Sequence, residues 1–210
     1  MKNHVTRRNF LATAGTAALA AATTAALAAA PAGDKPLRIL GVACSPRKGM
    51  TTAKAVQVAL DAAKAVDFRI QVELIDLGGL NLVGWSPTPP KDDFNAILPK
   101  LKDSQFGGLI IASPSYFRSL SSLCKAFIER CMPLREGAML LADKPVGALA
   151  VGGNRNGGQE LVVQQILTAM LGVTLWSAKD EVNQDETGLQ SAKLLGVHVA
   201  EVALRHSTTP

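Results

Sequence analysis

Aromatic residues are scarce: six Phe, two Trp and one Tyr make 4% of the 210 residues. A pair of them standing together outside a hydrophobic run is therefore a signal in its own right. Cysteine is scarcer, with Cys44, Cys124 and Cys131 alone. Three scattered thiols exclude a disulfide scaffold and the compact spacings of zinc or iron–sulfur motifs. Cys124 and Cys131 lie seven apart in one helical pattern, about 10.5 Å along its axis, too far to bond to each other, and read as core. His198 and His206 have no second ligand nearby in sequence, so a metal site is not expected. Acids are missing from residues 1–32, which hold Lys2, Arg7 and Arg8 and thus three of the five net positive charges. The other 178 residues carry 19 Lys+Arg against 17 Asp+Glu. That near balance removes the case for a nucleic-acid or anionic-membrane surface built on bulk charge.

What remains is a regular alternation of strand and helix patterns. Apolar runs at Leu37–Ala43, Gly108–Ser113 and Lys144–Val151 predict strands, the second with the continuous character of a strand buried on both faces. Phe68–Ile75 alternates, with Phe68, Ile70, Val72 and Leu74 on one side, and Val173–Ala178 gives a fifth strand. Helical spacing runs over Thr51–Val66, Asp93–Leu101, Ser121–Met132, Gln159–Leu171 and Gly188–Arg205. Five strands, each followed by a helix, predict an α/β fold with a parallel sheet covered on both sides. One domain is expected, since a chain of this length buries roughly 70% of its unfolded surface as a single unit. Such sheets hold ligands at the carboxyl ends of their strands, which directs attention to loops 44–51, 76–92, 113–120, 152–158 and 179–187.

The first of these loops reads Cys44-Ser45-Pro46-Arg47-Lys48-Gly49-Met50-Thr51-Thr52 and opens a helix. Hydroxyls, two cations and helix N-terminal N–H groups converge there, which is the chemistry of a phosphate cradle. A P-loop fails on counting from Gly41, because Pro46 takes its second glycine position. A G-x-G-x-x-G fingerprint fails on Ala43 and Pro46. The low-molecular-weight phosphatase pattern comes nearer, with Cys44 as nucleophile and Thr51 as the last hydroxyl. Met50 stands where its phosphate-clamping Arg belongs, and Arg47 would have to lower the thiol pKa.

The same loop resembles the phosphate loop of the NADPH-dependent FMN reductases and iron–sulfur flavoproteins. The resemblance continues in Ser113-Pro114-Ser115-Tyr116-Phe117-Arg118-Ser119-Leu120-Ser121 and in Val151-Gly152-Gly153-Asn154-Arg155-Asn156-Gly157-Gly158-Gln159-Glu160. The three segments span residues 37–178 in the family's order. The resemblance implies a flavodoxin-like, doubly wound five-stranded sheet of order 2-1-3-4-5, an FMN-binding domain over 35–206, and bound FMN. It places Ser45, Arg47, Thr51 and Thr52 on the phosphate, Pro114, Tyr116, Phe117 and Arg118 beside the ring, and Gly152, Gly153 and Asn154 at the ring's polar edge. Glycines there let backbone amides approach a flat ring edge. The implied activity is flavin-dependent oxidoreduction, with NAD(P)H as donor and a quinone, flavin or other small molecule as acceptor. Alternatives are a phosphatase-like hydrolase using Cys44 and a non-enzymatic flavodoxin-type electron carrier.

Departures from the family are specific. Cys44 replaces a usual Gly, Met50 a usual Gly or Ser, and both add bulk near the phosphate. Loop 76–92 contains no Cys where iron–sulfur flavoproteins carry their cluster, so no such centre is expected. It offers Trp85 instead, as a lid or a subunit contact in a homo-oligomer. At the front, Thr6-Arg7-Arg8-Asn9-Phe10-Leu11 and the uncharged stretch to Ala30 resemble a twin-arginine signal peptide over residues 1–32. Cleavage after Ala28, Ala30 or Ala32 is expected, with Pro31 making a cut after Ala30 the least favoured of the three. The implied location is the periplasm, reached through the twin-arginine export machinery. An uncleaved membrane anchor is the alternative, weakened by 13 Ala among those 32 residues.

Overall fold

A computed structural model describes residues 35–88, 90–134, 140–141, 144–170, 176–177 and 186–207. The expected signal over 1–32 and most of the strand expected at 173–178 lie outside them.

Strand β1 (Leu37–Ala43) leads through the first loop into α1 (Thr51–Lys64), and β2 (Ile70–Asp76) follows. Then come α2 (Phe94–Leu101), β3 (Phe106–Pro114), α3 (Ser122–Arg130) and a 3-10 turn at Met132–Leu134. The chain continues through β4 (Val146–Gly152), α4 (Gln159–Met170), the two-residue β5 (Trp176–Ser177) and α5 (Glu186–Ser207). All strand pairs are parallel, in the order β2-β1-β3-β4, with β5 set against Val151 and Gly152 of β4. The chain reverses its winding between β1 and β3, which opens a crevice beyond their carboxyl ends.

Alternation along the strands supplies two cores. Leu109 and Ile111 of β3 face one side with Leu40 and Val42, under Phe94, Ile97, Phe127, Val162 and Ile166 from α2, α3 and α4. Ile110 and Ala112 face the other side with Ile39 and Ala43, under Val56, Leu60, Leu195 and Val199 from α1 and α5. Every residue of β3 is buried, and burying each large aliphatic contributes about 1.5–3 kcal/mol. Helices α1 and α5 approach so closely that a Cβ at Gly196 would stand 1.9 Å from the Ala59 carbonyl oxygen.

Phe68 departs from the expected face. It precedes β2 in a turn and is 89% exposed, because β2 is an edge strand with only partial cover on either side. Lys100 of α2 pairs with Glu73 of that strand.

Candidate functional site

The ladder of β1 ends at Cys44, whose N–H donates to the Ala112 carbonyl at 2.8 Å. Ser45 is buried and Pro46 to Met50 are exposed. The Ser45 hydroxyl accepts the Arg47 N–H at 3.1 Å, a side-chain turn that brings the loop round toward α1. Gly49, at φ +69°, donates its N–H to Asp76 Oδ2 at 2.7 Å, and Gly78 donates to Asp76 Oδ1 at 3.0 Å. One carboxylate at the end of β2 thus fixes the bend. Met50 is the N-cap of α1 and offers no side-chain acceptor, and no acid lies in the first turn. The first turn of a helix carries N–H groups without intrahelical partners and the positive end of the dipole. Here they meet Arg47 and Lys48, both exposed. Thr51 is half-buried at this mouth, whereas Thr52 is turned into the protein.

A buried pair of serines joins this loop to the third. The Ser121 N–H donates to Ser113 Oγ at 2.9 Å, and the Ser121 hydroxyl donates to the Cys44 carbonyl at 2.5 Å. The same hydroxyl accepts the Cys124 N–H at 3.1 Å, capping α3. Pro114 closes β3, buried. Beyond it Tyr116 and Ser119 exchange backbone hydrogen bonds of 2.9 and 3.0 Å. The two residues between them, Phe117 and Arg118, have φ of +51° and +61°. That is a type I′ turn made without glycine, and left-handed non-glycine residues cost about 1–3 kcal/mol each, strain that collects at ligand sites. It lifts Phe117 wholly into solvent, with Tyr116 40% exposed beside it.

The fourth loop packs directly on that turn. The Ser115 hydroxyl donates to the Gly157 carbonyl at 2.8 Å. Gly158, at φ +91°, leaves no room for a side chain, since a Cβ there would stand 2.7 Å from Arg118 Cα. Gly153 and Asn154 are exposed, with open space around Gly153. Gly152 ends β4, buried, and the space its missing Cβ leaves is filled by the Gln159 amide. Gln159 Nε2 donates to the Asn154 carbonyl at 2.7 Å. Its Oε1 is the one buried side-chain oxygen or nitrogen among the described residues that has no partner.

The second loop is held by charge. Asp92, its side chain wholly buried, pairs with Arg130 of α3 and accepts the Val83 N–H at 2.9 Å. Burial alone raises the Asp92 pKa, but the Val83 N–H, the Arg130 guanidinium and the Phe94 N–H together hold it below its ordinary value. The Arg130 guanidinium also lies 4.9 Å from the Phe94 ring centre. Glu129 Oε2 accepts the Trp85 N–H at 3.0 Å, and the Trp85 side chain is 55% exposed. Between α3 and α4 a groove of about 670 Å³ opens beside Ser119, lined by Leu120, Lys125, Ile128, Leu161 and Gln165.

Cys44 is corrected in both of its expected roles. It adds no bulk at the phosphate mouth, because it lies in the core with its thiol directed at the Val42 carbonyl. Burial, together with contact with Cys124, pushes its pKa well above 9.0. Arg47 is exposed in the loop, and burial of Cys44 disfavours the thiolate that phosphatase chemistry needs. Cys131 is likewise pushed up by burial, to about 12.

A protein-family model described as NADPH-dependent FMN reductase matches residues 37–186. An iron–sulfur flavoprotein of Methanocaldococcus jannaschii is 33% identical over 192 residues, covering 79% of this chain and 97% of that one. Another, from Methanosarcina thermophila, is 32% identical over 137 residues, covering 62% and 71%. Among solved structures, RosB with a bound 8-demethyl-8-formylriboflavin-5'-phosphate intermediate superposes with a TM-score of 0.66 at 15% identity, over 83% of this chain and 81% of that one. An apo NADH:FMN oxidoreductase gives 0.55 at 22% identity over 83% and 92%. A WrbA-like flavodoxin of Agrobacterium tumefaciens gives 0.55 at 16% over 82% and 99%. The residues here do not fit an iron–sulfur cluster: the three thiols are buried in the core and the second loop has none. They do fit a flavin phosphate ester, through an uncapped helix start flanked by cations, with an orphaned amide oxygen and a strained aromatic turn nearby. On this footing the chain belongs to the NADPH-dependent FMN reductase family, and it is an FMN-binding, flavin-dependent oxidoreductase of flavodoxin-like fold.

Proposed function

We propose that this protein is an exported NAD(P)H-dependent flavin reductase, passing electrons from a reduced nicotinamide to a quinone, a flavin or another small acceptor. The observation that carries the site is the Ser121 bridge, which ties the Cys44 carbonyl, where the phosphate loop begins, to Ser113, where the loop with the strained Tyr116–Ser119 turn begins. In this reading Ser45, Arg47, Thr51 and Thr52 hold the FMN phosphate. Pro114, Tyr116, Phe117 and Arg118 flank the ring, and Gly152, Gly153 and Asn154 border its polar edge. FMN, when bound, supplies the two-electron chemistry. The chain supplies position: Asp76 keeps the phosphate loop bent, and Ser115 keeps the ring loop against the fourth loop. Exposed Phe117 offers an apolar surface to a flat donor or acceptor.

Residues 1–32 form a twin-arginine signal in this proposal. The mature domain, 35–206, then acts in the periplasm as a homo-oligomer. Support comes from Arg7-Arg8 ahead of an acid-free, alanine-rich stretch.

The test is to purify the exported protein, record its visible spectrum and follow NADH and NADPH oxidation with quinone or free FMN as acceptor. Flavin absorption with acceptor-dependent oxidation is expected. A colourless protein that cannot be reconstituted refutes the site, whereas a yellow protein inert to both nicotinamides refutes the donor. Replacing Arg7 and Arg8 with Lys should leave the unprocessed protein inside the cell; its appearance outside refutes the export route.

A further inference from the structure

Gln159 opens α4 directly after the glycine-rich fourth loop, and its side chain is packed back under that loop. It is 4% exposed. It occupies the volume left by the absent Cβ of Gly152, where a Cβ would come within 2.3 Å of Nε2. Its orientation is not arbitrary, because Nε2 lies 2.7 Å from the Asn154 carbonyl and only a donor belongs there. Oε1 is thereby committed to face a place with no donor.

More than nine in ten buried polar groups have partners, and an exception calls for a missing one. Two N–H groups of this loop and helix start are already used: that of Gly157 goes to the Asn154 carbonyl and that of Val162 to the Gly158 carbonyl. A ligand that brings its own N–H would supply the missing partner. The adjoining residues 153–156 are exposed, Gly153 is surrounded by open space, and Asn156 and Gly158 have φ of +58° and +91°.

We propose that Gln159 is a flavin-binding residue whose Oε1 accepts the N3–H of the isoalloxazine ring. This rests on the placement of the ring's polar edge at loop 152–158. The oxidised ring presents a single N–H, at N3, among the acceptors N1, N5, O2 and O4. An orphaned acceptor with its amide N–H already engaged therefore reads that one position and rejects a ring that lacks it. A site with a buried polar group left unpaired discriminates strongly against an analogue that cannot pair it.

The experiment titrates flavin-stripped protein with FMN and with 3-methyl-FMN, following flavin fluorescence. It uses the wild type, Gln159→Met, which keeps the volume and removes the acceptor, and Gln159→Glu, which keeps an acceptor. The wild type should bind 3-methyl-FMN roughly tenfold or more weakly than FMN, as expected for a lost hydrogen bond with an unpaired buried oxygen left behind. Gln159→Met should bring the ratio toward one, and Gln159→Glu should retain discrimination. A wild-type ratio near one overturns the proposal without any variant, even if Gln159→Met fails to fold. So does an unchanged ratio in folded Gln159→Met. Failure of the wild type to bind FMN at all overturns the site reading itself, a different and distinguishable result.

Discussion

Replacing Arg130 with Met tests the charge clasp on the second loop. The substitution keeps the aliphatic bulk over Phe94 but leaves the Asp92 carboxylate, wholly buried, with only the Val83 and Phe94 N–H groups. Removing one partner of a buried ion pair costs about 3–5 kcal/mol. The two surviving N–H donors place this site at the low end, about 3 kcal/mol. For a domain of this size each kcal/mol moves Tm by about 2–4 °C, so thermal unfolding at pH 7 should fall by about 6–12 °C. Adding Asp92→Asn removes the stranded charge, and the double variant should recover most of that loss. The pH dependence follows from the sign of the Asp92 shift. Its folded pKa is depressed below 3.8, so its contribution is full above that value and is lost as pH falls through the folded pKa. Without Arg130 the folded pKa rises, and the loss begins at higher pH. A loss under about 1 kcal/mol at pH 7, or a double variant no more stable than Arg130→Met, refutes the reasoning.

Arg47→Ala should weaken FMN binding by roughly ten- to a hundredfold, the worth of a charge-assisted hydrogen bond. Tm without ligand should not change, because Arg47 is exposed; an unaltered dissociation constant in flavin titration refutes the phosphate assignment. Gly158→Ala forces a side chain into φ +91° and against Arg118, so it should cost about 1–3 kcal/mol in denaturant unfolding. Gly153→Ala, in open space, should cost far less, and equal costs would contradict the described joint between the third and fourth loops. Thiol reagents at pH 8 should label Cys44 and Cys131 only after unfolding, since burial holds both pKa values up. Cys44→Ala should keep NAD(P)H oxidation, and rapid labelling of the native protein would reopen the nucleophile reading.

Long apolar runs made the architecture readable before any coordinates. Leu37–Ala43 matched β1 end to end, because every residue of the run but Arg38 is apolar and buried. Phe68 misled for the opposite reason: an edge strand tolerates an exposed aromatic just outside it, and alternation alone does not register cover. In the site, Arg47 and the Tyr116-Phe117 pair were visible as residue types out of place. Ser121 was not, since its bond to Cys44 joins positions 77 apart in sequence. One sign of it existed, a Ser directly before a helical run, which marks an N-cap. Gln159 and Asp76 act through backbone groups of glycine loops, and no spacing rule reports that. Cys44 was misjudged because its place beside Ser45 located it along the chain and not in depth.

Helix α5 shares one face of the sheet with α1. Its Leu195 and Val199 lie over Gly147 and Gly108, and its Gly196 meets α1. On the ribosome this makes the domain a late folder. Residues 37–170 can emerge with every strand through β4 present, yet the sheet around Gly108 and Gly147, which Val199 and Leu195 cover, stays bare until α5 clears the exit tunnel. At about 5–20 residues per second, that leaves seconds during which a nascent chain shows an unroofed apolar surface. A chaperone that recognises such a surface has its window before the last helix docks and none afterward.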